Sequence, residues 1–526
     1  MSVKKILLFI VTCILLLAAV AFFFPKDGIT LGDITLRFPD LKEMLSTQEE
    51  DELQTPRISP EEQLAKMSKA LEMKQLSELA DSLAYYRQIF STASVGIQFP
   101  YDDPSLFDGF FRDMENAQSE GNLVRVLHYG DSQIEQDRIT STLRMNWQER
   151  FGGMGCGMIP ALQTIPTPFL KQEHGGDMHK YLVYSHEEFK AEHNQYGPMA
   201  QFVRVTDSAR MTVSPRYANQ SKSMRCCTQV KVLVANAQAG FRAILHHDGQ
   251  WQERVISDSS ALLHVLQWEF EKPQENIDLS FWGNADIQAV LLDGKSGVAV
   301  DNIPMRGCSG TIFASIDKAS LAEAYRLLDP RLVILEFGGN RMPMITSQDD
   351  IALYMRRLSY QIRYLKNLLP RAAFLFIGPA DMACSVDGNT QTYPLLEELI
   401  EALRSTCMDN QVAFWDMYQV MGGRNTIIEW TKTQPALAAP DYIHFTVRGA
   451  QRIAGLLQQS FDICYDYYRF RQQHLDDSTM LQISRLDTTQ NYRQAWEELL
   501  EESRADSSVW NEIEEGLDSI FGGVAL

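Results

Sequence analysis

Apolar positions follow two different rhythms along this chain. Between residues 60 and 90, Leu64, Met67, Leu71, Leu76, Leu79 and Leu83 recur at mostly helical spacings and predict a helix. A short apolar run at 123–129 predicts a strand that leads straight into Gly130-Asp131-Ser132, and a helical pattern over 134–151 follows it. Gly152, Gly153, Gly155 and Gly157 then mark a loop. From 180 to 293 the pattern changes to short runs, at 181–184, 201–205, 230–235, 241–245, 262–266 and 277–282, and this rhythm predicts a β-sandwich. Strands separated by amphipathic helices resume at 332–337, 373–377 and 412–415. The clearest of these helices has apolar residues at 351, 355, 358, 362, 365 and 369. Strand and helix in alternation imply a parallel α/β core. A β-rich segment interrupts that core, a helix over 447–461 closes it, and the tail after 460 reads as helical and acidic.

The N-terminus changes the picture. Lys4 and Lys5 precede an apolar run from 6 to 24, which is long enough to span a bilayer as a transmembrane helix. The positive-inside bias keeps the lysines cytoplasmic and places the rest of the chain on the periplasmic or extracellular side. Cleavage of a signal peptide at the small-x-small site Ala19-Val20-Ala21 is the competing outcome. Cys13 lies mid-run, where a lipobox cysteine does not belong. The expected organisation is an anchor at 1–26, a partly helical stem at 27–95, an α/β domain in two parts at 96–179 and 296–462, the inserted β-sandwich at 180–295, and an acidic helical extension at 463–526.

Composition narrows the function. With 45% hydrophobic and 22% charged residues among 526, the chain has the balance of a folded protein of more than one domain. A net charge of -20 with no long basic run excludes nucleic acid as a partner. The eight cysteines show no Cys/His ligand spacing, so no metal and no cofactor is expected.

Chemistry gathers at three places. A Gly-Asp-Ser tripeptide alone is an Asx turn, but Ser132 stands at the carboxyl end of an apolar strand, where a hydroxyl is exposed in the crevice of an α/β sheet. A serine nucleophile needs a histidine base oriented by a carboxylate, and among ten histidines His444, in Asp441-Tyr442-Ile443-His444, supplies both partners from one loop. The oxyanion formed on an ester carbonyl needs preorganised donors. Phe337-Gly338-Gly339-Asn340, just past a strand, offers one and Gly307 another.

In this order the motifs resemble the SGNH (GDSL-like) hydrolases, whose blocks contribute a Ser in Gly-Asp-Ser, a Gly, an Asn in Gly-x-Asn, and Asp-x-x-His. The resemblance covers roughly 120–175 and 296–460. It implies a flavodoxin-like three-layer core with Ser132, His444 and Asp441 as the triad. The Ser132 N–H, the Gly307 N–H and the Asn340 side chain would form the oxyanion hole, with Gly310 or Gly297 as alternatives to Gly307. The inserted β-rich segment looks like the layout of bacterial peptidoglycan and polysaccharide O-acetylesterases, in which a carbohydrate-binding-like sandwich interrupts the hydrolase. The segment 297–303 is similar to the stretch that re-enters the core there, with Pro304 where those proteins often carry Gly. The implied activity is O-deacetylation of an envelope or extracellular glycan. Transfer of acetyl to a sugar hydroxyl and catalytically silent glycan binding are the alternatives. Trp251, Trp268 and Trp282 are either sugar-stacking platforms or sandwich core.

Overall fold

The computed structural model describes residues 59–485 except 93–95, 218–220 and 248, together with 29–31, 34–36 and scattered positions between 12 and 22. The expected span at 6–24 lies largely outside the described residues, and the tail beyond 485 lies wholly outside them. Among the described residues no helix is long and apolar enough to cross a membrane. The chain divides into two units, residues 1–75 with 491–526 and residues 76–490. In the first, a short antiparallel hairpin pairs β1 (Ile29–Leu31) with β2 (Ile34–Leu36), and helix α1 (Pro60–Phe90) begins.

The second unit holds the core. After α2 (Asp108–Asn116) come β3 (Leu123–Gly130) and α3 (Thr140–Phe151). The interrupting segment contributes β4 (Gly157–Ile159), β5 (Leu170–Leu182), β6 (Gln201–Pro215), β7 (Cys227–Ala235), β8 (Phe241–His247), β9 (Gln250–Ile256), β10 (His264–Gln274), β11 (Ile277–Trp282) and β12 (Ala285–Asp293). Back in the core are β13 (Gly297–Pro304), α4 (Lys318–Leu328), β14 (Pro330–Glu336), α5 (Gln348–Leu368) and β15 (Ala373–Ile377). A hairpin of β16 (Ala383–Val386) and β17 (Asn389–Thr392) precedes α6 (Leu396–Asp409), β18 (Ala413–Trp415) and α7 (Val447–His474).

Five parallel strands form the core sheet in the order β13-β3-β14-β15-β18. Because side chains alternate along a strand, each strand feeds two layers. Val124, Val126, Leu332, Ile334, Leu375 and Ile377 pack against α1, α2, α3 and α7. Their neighbours Leu127, Tyr129, Val333, Leu335, Phe374 and Phe376 pack against α4, α5 and α6. This is a three-layer α/β/α arrangement. Helix α5 shows how closely sequence dictates it: the apolar stripe read at 351, 355, 358, 362, 365 and 369 is buried along its whole length, and Ser347 with Asp350 closes a capping box at its start.

The interrupting segment is antiparallel β-structure, as expected, with its strands joined in one ladder. Its nine strands form one antiparallel sheet, in the order β10-β7-β12-β6-β11-β8-β9 with β5 beside β6 and β4 beside β12. The sheet curls until its ends meet, where the Trp268 indole donates to the Gln252 carbonyl at 3.0 Å and the Arg254 Nε to the Gln267 carbonyl at 3.0 Å. Three expectations are corrected. This sheet begins at Gly157, ahead of the expected 180, and Trp268 lies in its core while Trp251 is exposed. The helix expected from 134 starts only at Thr140, behind a broken 3-10 turn, so Ser132 does not open an α-helix. Finally, α7 runs past 462 without interruption to His474 and buries Cys464, Tyr465, Tyr467 and Tyr468 in the core.

Candidate active site

The carboxyl ends of β3, β13 and β14 converge on a cleft of about 570 Å³ lined by Ser132, Gly307, Asn340, Asp441 and His444. Such crevices at the carboxyl ends of parallel strands are where open α/β sheets bind ligands. The register explains the convergence: Pro304 of β13 and Glu336 of β14 both pair with Gly130 of β3. The loops that follow therefore leave the sheet at one level. Within them lie Ser132, Gly307 and Asn340.

Ser132 Oγ is 2.8 Å from His444 Nε2, and His444 Nδ1 is 2.8 Å from Asp441 Oδ2. The loop that presents the last two is built by Asp441 itself, whose Oδ1 accepts the backbone N–H groups of Ile443 and His444, each at 3.0 Å. Tyr442 between them takes a left-handed conformation (φ 58°), which turns both side chains to one side. Burial tends to raise the Asp441 carboxyl. The hydrogen bonds from His444 and the two backbone donors outweigh it and hold the group below its ordinary value. Gln133 binds the same loop, donating from Nε2 to the Ile443 carbonyl at 2.7 Å.

The Ser132 turn is broken as a helix at Glu135 (ψ 152°) and at the left-handed Gln136 and Asp137 (φ 61° and 60°). Arg138 compensates. Its guanidinium donates to the carbonyls of Ser132 (2.7 Å), Glu135 (2.9 Å) and Phe445 (2.9 Å), which joins the Ser132 turn to the His444 loop.

Among the described residues the backbone N–H groups of Ser132 and Gly307 have no acceptor within the protein. Gly307 has φ 79° and open space where a Cβ would stand, so its N–H is reached without a side chain in the way. Of the two alternatives, Gly310 packs against Phe337 and Gly297 lies at the opposite end of β13, away from the cleft. The Asn340 amide is already engaged, donating from Nδ2 to Asp131 Oδ2 at 3.0 Å and to the Cys308 carbonyl at 3.3 Å.

Sequence reasoning passed over several cleft residues. Asp131 is one, pushed up to about 7 by burial and by the neighbouring Glu336 carboxylate, against the opposing hydrogen bonds from Gln133 and Asn340. Below the cleft Glu336 Oε2 is 3.1 Å from His128 Nε2, and His128 Nδ1 is 2.9 Å from Thr140 Oγ1. Glu135 forms a two-pronged ion pair with Arg306 at the cleft margin. Only Asp131, inside Gly-Asp-Ser, stood within a motif. The others sit in runs with no spacing of their own.

Residues 280–452 match the GDSL-like lipase/acylhydrolase family. The chain carries a GDSL-like acylhydrolase domain. The match takes in Gly307, Asn340, Asp441 and His444 and stops short of Ser132, which the antiparallel sheet separates from them in sequence. A solved peptidoglycan O-acetylesterase superposes on this chain with a TM-score of 0.56 at 18% identity, covering 69% of this chain and 98% of that one. A family two carbohydrate esterase from Cellvibrio japonicus aligns at 10% identity over 57% of this chain and 98% of its own, with a TM-score of 0.23. A comparison with curated proteins gives no match.

Proposed function

We propose that the acylhydrolase removes O-acetyl groups from a polymeric glycan, with Ser132 as nucleophile, His444 as base and then acid, and Asp441 as the group that orients His444. The observation that carries this reading is the unbroken chain of 2.8 Å contacts from Ser132 Oγ through His444 to Asp441, facing an open cleft. The Ser132 hydroxyl donates to His444 Nε2, and Nδ1–H donates to Asp441. As Oγ attacks the acetyl carbonyl carbon, its proton passes to Nε2 and the carbonyl oxygen becomes an oxyanion. The unpaired N–H groups of Ser132 and Gly307 are the donors offered to that oxyanion. Asn340 joins them by exchanging the Cys308 carbonyl for the oxyanion while Asp131 keeps its orientation.

Collapse breaks the ester bond, and His444 returns the proton to the departing sugar oxygen. Water then attacks the acetyl-enzyme, gives a proton to His444, and releases acetate and the Ser132 hydroxyl. The glycan substrate is favoured by the family of the fold and by the named substrates of its structural relatives. The apolar run at 6–24 favours an inner-membrane anchor with the cleft on the periplasmic or extracellular side. An enzyme reporter fused after residue 26 checks that orientation, because cytoplasmic activity alone refutes it.

A chromogenic acetyl ester tests the chemistry. Ser132→Ala and His444→Ala are expected to lower kcat by about 10³-fold or more while the thermal transition stays in place. Equal turnover by wild type and both variants removes the serine mechanism.

A further inference from the structure

Beside the catalytic cleft lies a second cavity of about 260 Å³, between the curled antiparallel sheet and the core. Glu135, Gln136 and Arg306 line both spaces, so the Arg306–Glu135 ion pair stands between them. The far walls come from β5 and β6, with Lys180, Leu182 and Gln201, from Tyr184 just past β5, and from the 163–167 loop. Lys180 pairs in register with Val203 and Leu182 with Gln201, which puts Lys180 and Gln201 on one face as diagonal neighbours.

The charges here do not cancel. Glu135 is matched by Arg306, and Asp137 by Arg144 at 2.5 Å. Lys180 Nζ makes no hydrogen bond or ion pair among the described residues, although its side chain is largely enclosed. Burial pulls this ammonium down to about 8, against the opposing pull of Glu135. Gln201 adds an independent sign. It is only 4% exposed, and its Oε1 is buried without a hydrogen-bond partner. A buried polar atom left unpaired costs free energy that a ligand recovers. A free cation and an unpaired amide oxygen facing one cavity next to a nucleophile describe a site for an anion that also carries hydroxyl or amide donors.

We propose that this cavity is a subsite for a carboxylate-bearing part of the glycan next to the acetylated sugar, with Lys180 pairing the carboxylate and Gln201 accepting from a neighbouring hydroxyl or amide. The proposal rests on the glycan reading above and adds that the polymer is acidic. A carboxylate on the sugar ring, as in a uronic acid, and one on a substituent, as in a muramoyl peptide, share this chemistry.

Calorimetry on the full chain separates these cases, using deacetylated galacturonate oligosaccharides, a muramoyl-peptide fragment and neutral xylo-oligosaccharides. At least one acidic ligand should bind more tightly than the neutral one, and whichever binds names the source. Lys180→Met should cut that acidic affinity about ten-fold and leave the neutral ligand's affinity alone. Gln201→Glu, which sets a fixed carboxylate beside Lys180, should do the same, and it keeps the test open if Lys180→Met does not fold. Failure of every acidic ligand to bind, or equal losses for acidic and neutral ligands, overturns the subsite. Kinetics on the acetylated forms of the same ligands keep the two readings apart. Acid-selective binding without ester cleavage would sink the esterase mechanism and leave the subsite standing. Cleavage without acid preference would do the reverse.

Discussion

Ionising a buried carboxylate is costly, and Asp131, next to Ser132 in the cleft, is such a group. Its folded value of about 7 lies above the ordinary aspartate value near 3.8 that an unfolded chain would show. Below pH 4 the group is protonated in both states and has no effect on the pH slope. Between pH 4 and 7 only the folded state holds the proton, so stability falls as pH rises, and above 7 the loss is complete. Asp131→Asn cannot ionise. Its unfolding free energy relative to wild type should therefore climb from pH 4 to 7, by at most about 1.4 kcal/mol per pH unit, and then level off. Urea titrations across that range measure the difference, and a flat difference would mean that Asp131 is ionised throughout. A polar turn residue in sequence thus becomes, once buried near Glu336 and bonded to Asn340, a group tied to the Asn340 side of the cleft. Neither burial nor the pairing with Asn340 can be read from Gly-Asp-Ser.

Elements were legible where one physical signal dominated. The core strands at 332–335 and 373–377 are continuous apolar runs because both of their faces are covered, and α5 is periodic because only one of its faces is. β5 escaped notice over most of its length because 171–180 is almost wholly polar, as expected of a strand with much of its surface in water and Lys180 in a cavity wall. The broken turn after Ser132 escaped too, since its left-handed residues are Gln136 and Asp137 and not glycine. Helix α7 shows the limit of a composition boundary. The polar content rises after 460, yet Tyr467 packs at a 42° tilt against Tyr86 of α1 with ring centroids 4.8 Å apart, and the Tyr465 hydroxyl donates to Glu115 of α2 at 2.6 Å. Ending the chain at 462 removes three buried tyrosines, each contributing about 2 kcal/mol or more by area alone. That truncation is expected to abolish the cooperative thermal transition, whereas a two-state transition near the wild-type temperature would show the helix to be dispensable beyond 462.

At the scale of the molecule, the question is whether the α/β core and the curled sheet unfold together. They share an ionic node. Arg125 of β3, 3% exposed, donates from Nη1 to both oxygens of Asp301 at 2.7 and 2.8 Å and pairs through Nη2 with Asp293, the last residue of β12. Asp301 of β13 also accepts the backbone N–H of Met158 on β4 at 2.7 Å. Burial disfavours the Arg125 charge, but the two carboxylates more than offset it, so the guanidinium stays firmly protonated. Asp301→Ala leaves that cation half-compensated and orphans the Met158 N–H. Breaking a buried pair in this way costs about 3–5 kcal/mol. Because the node belongs to both sheets, the loss should lower one common transition without splitting it. Tryptophan fluorescence samples both parts, through Trp415 in the core and Trp268 in the curled sheet, and far-UV circular dichroism samples the whole. Coincident urea curves shifted to lower midpoint are the expected result. Replacing all three charges together by apolar residues of similar size should recover much of the loss, since no buried charge is then left unpaired. Two separated transitions in Asp301→Ala would show instead that the node alone couples the sheets, and that the wall holding Lys180 can loosen while the Ser132–His444 pair stays in place.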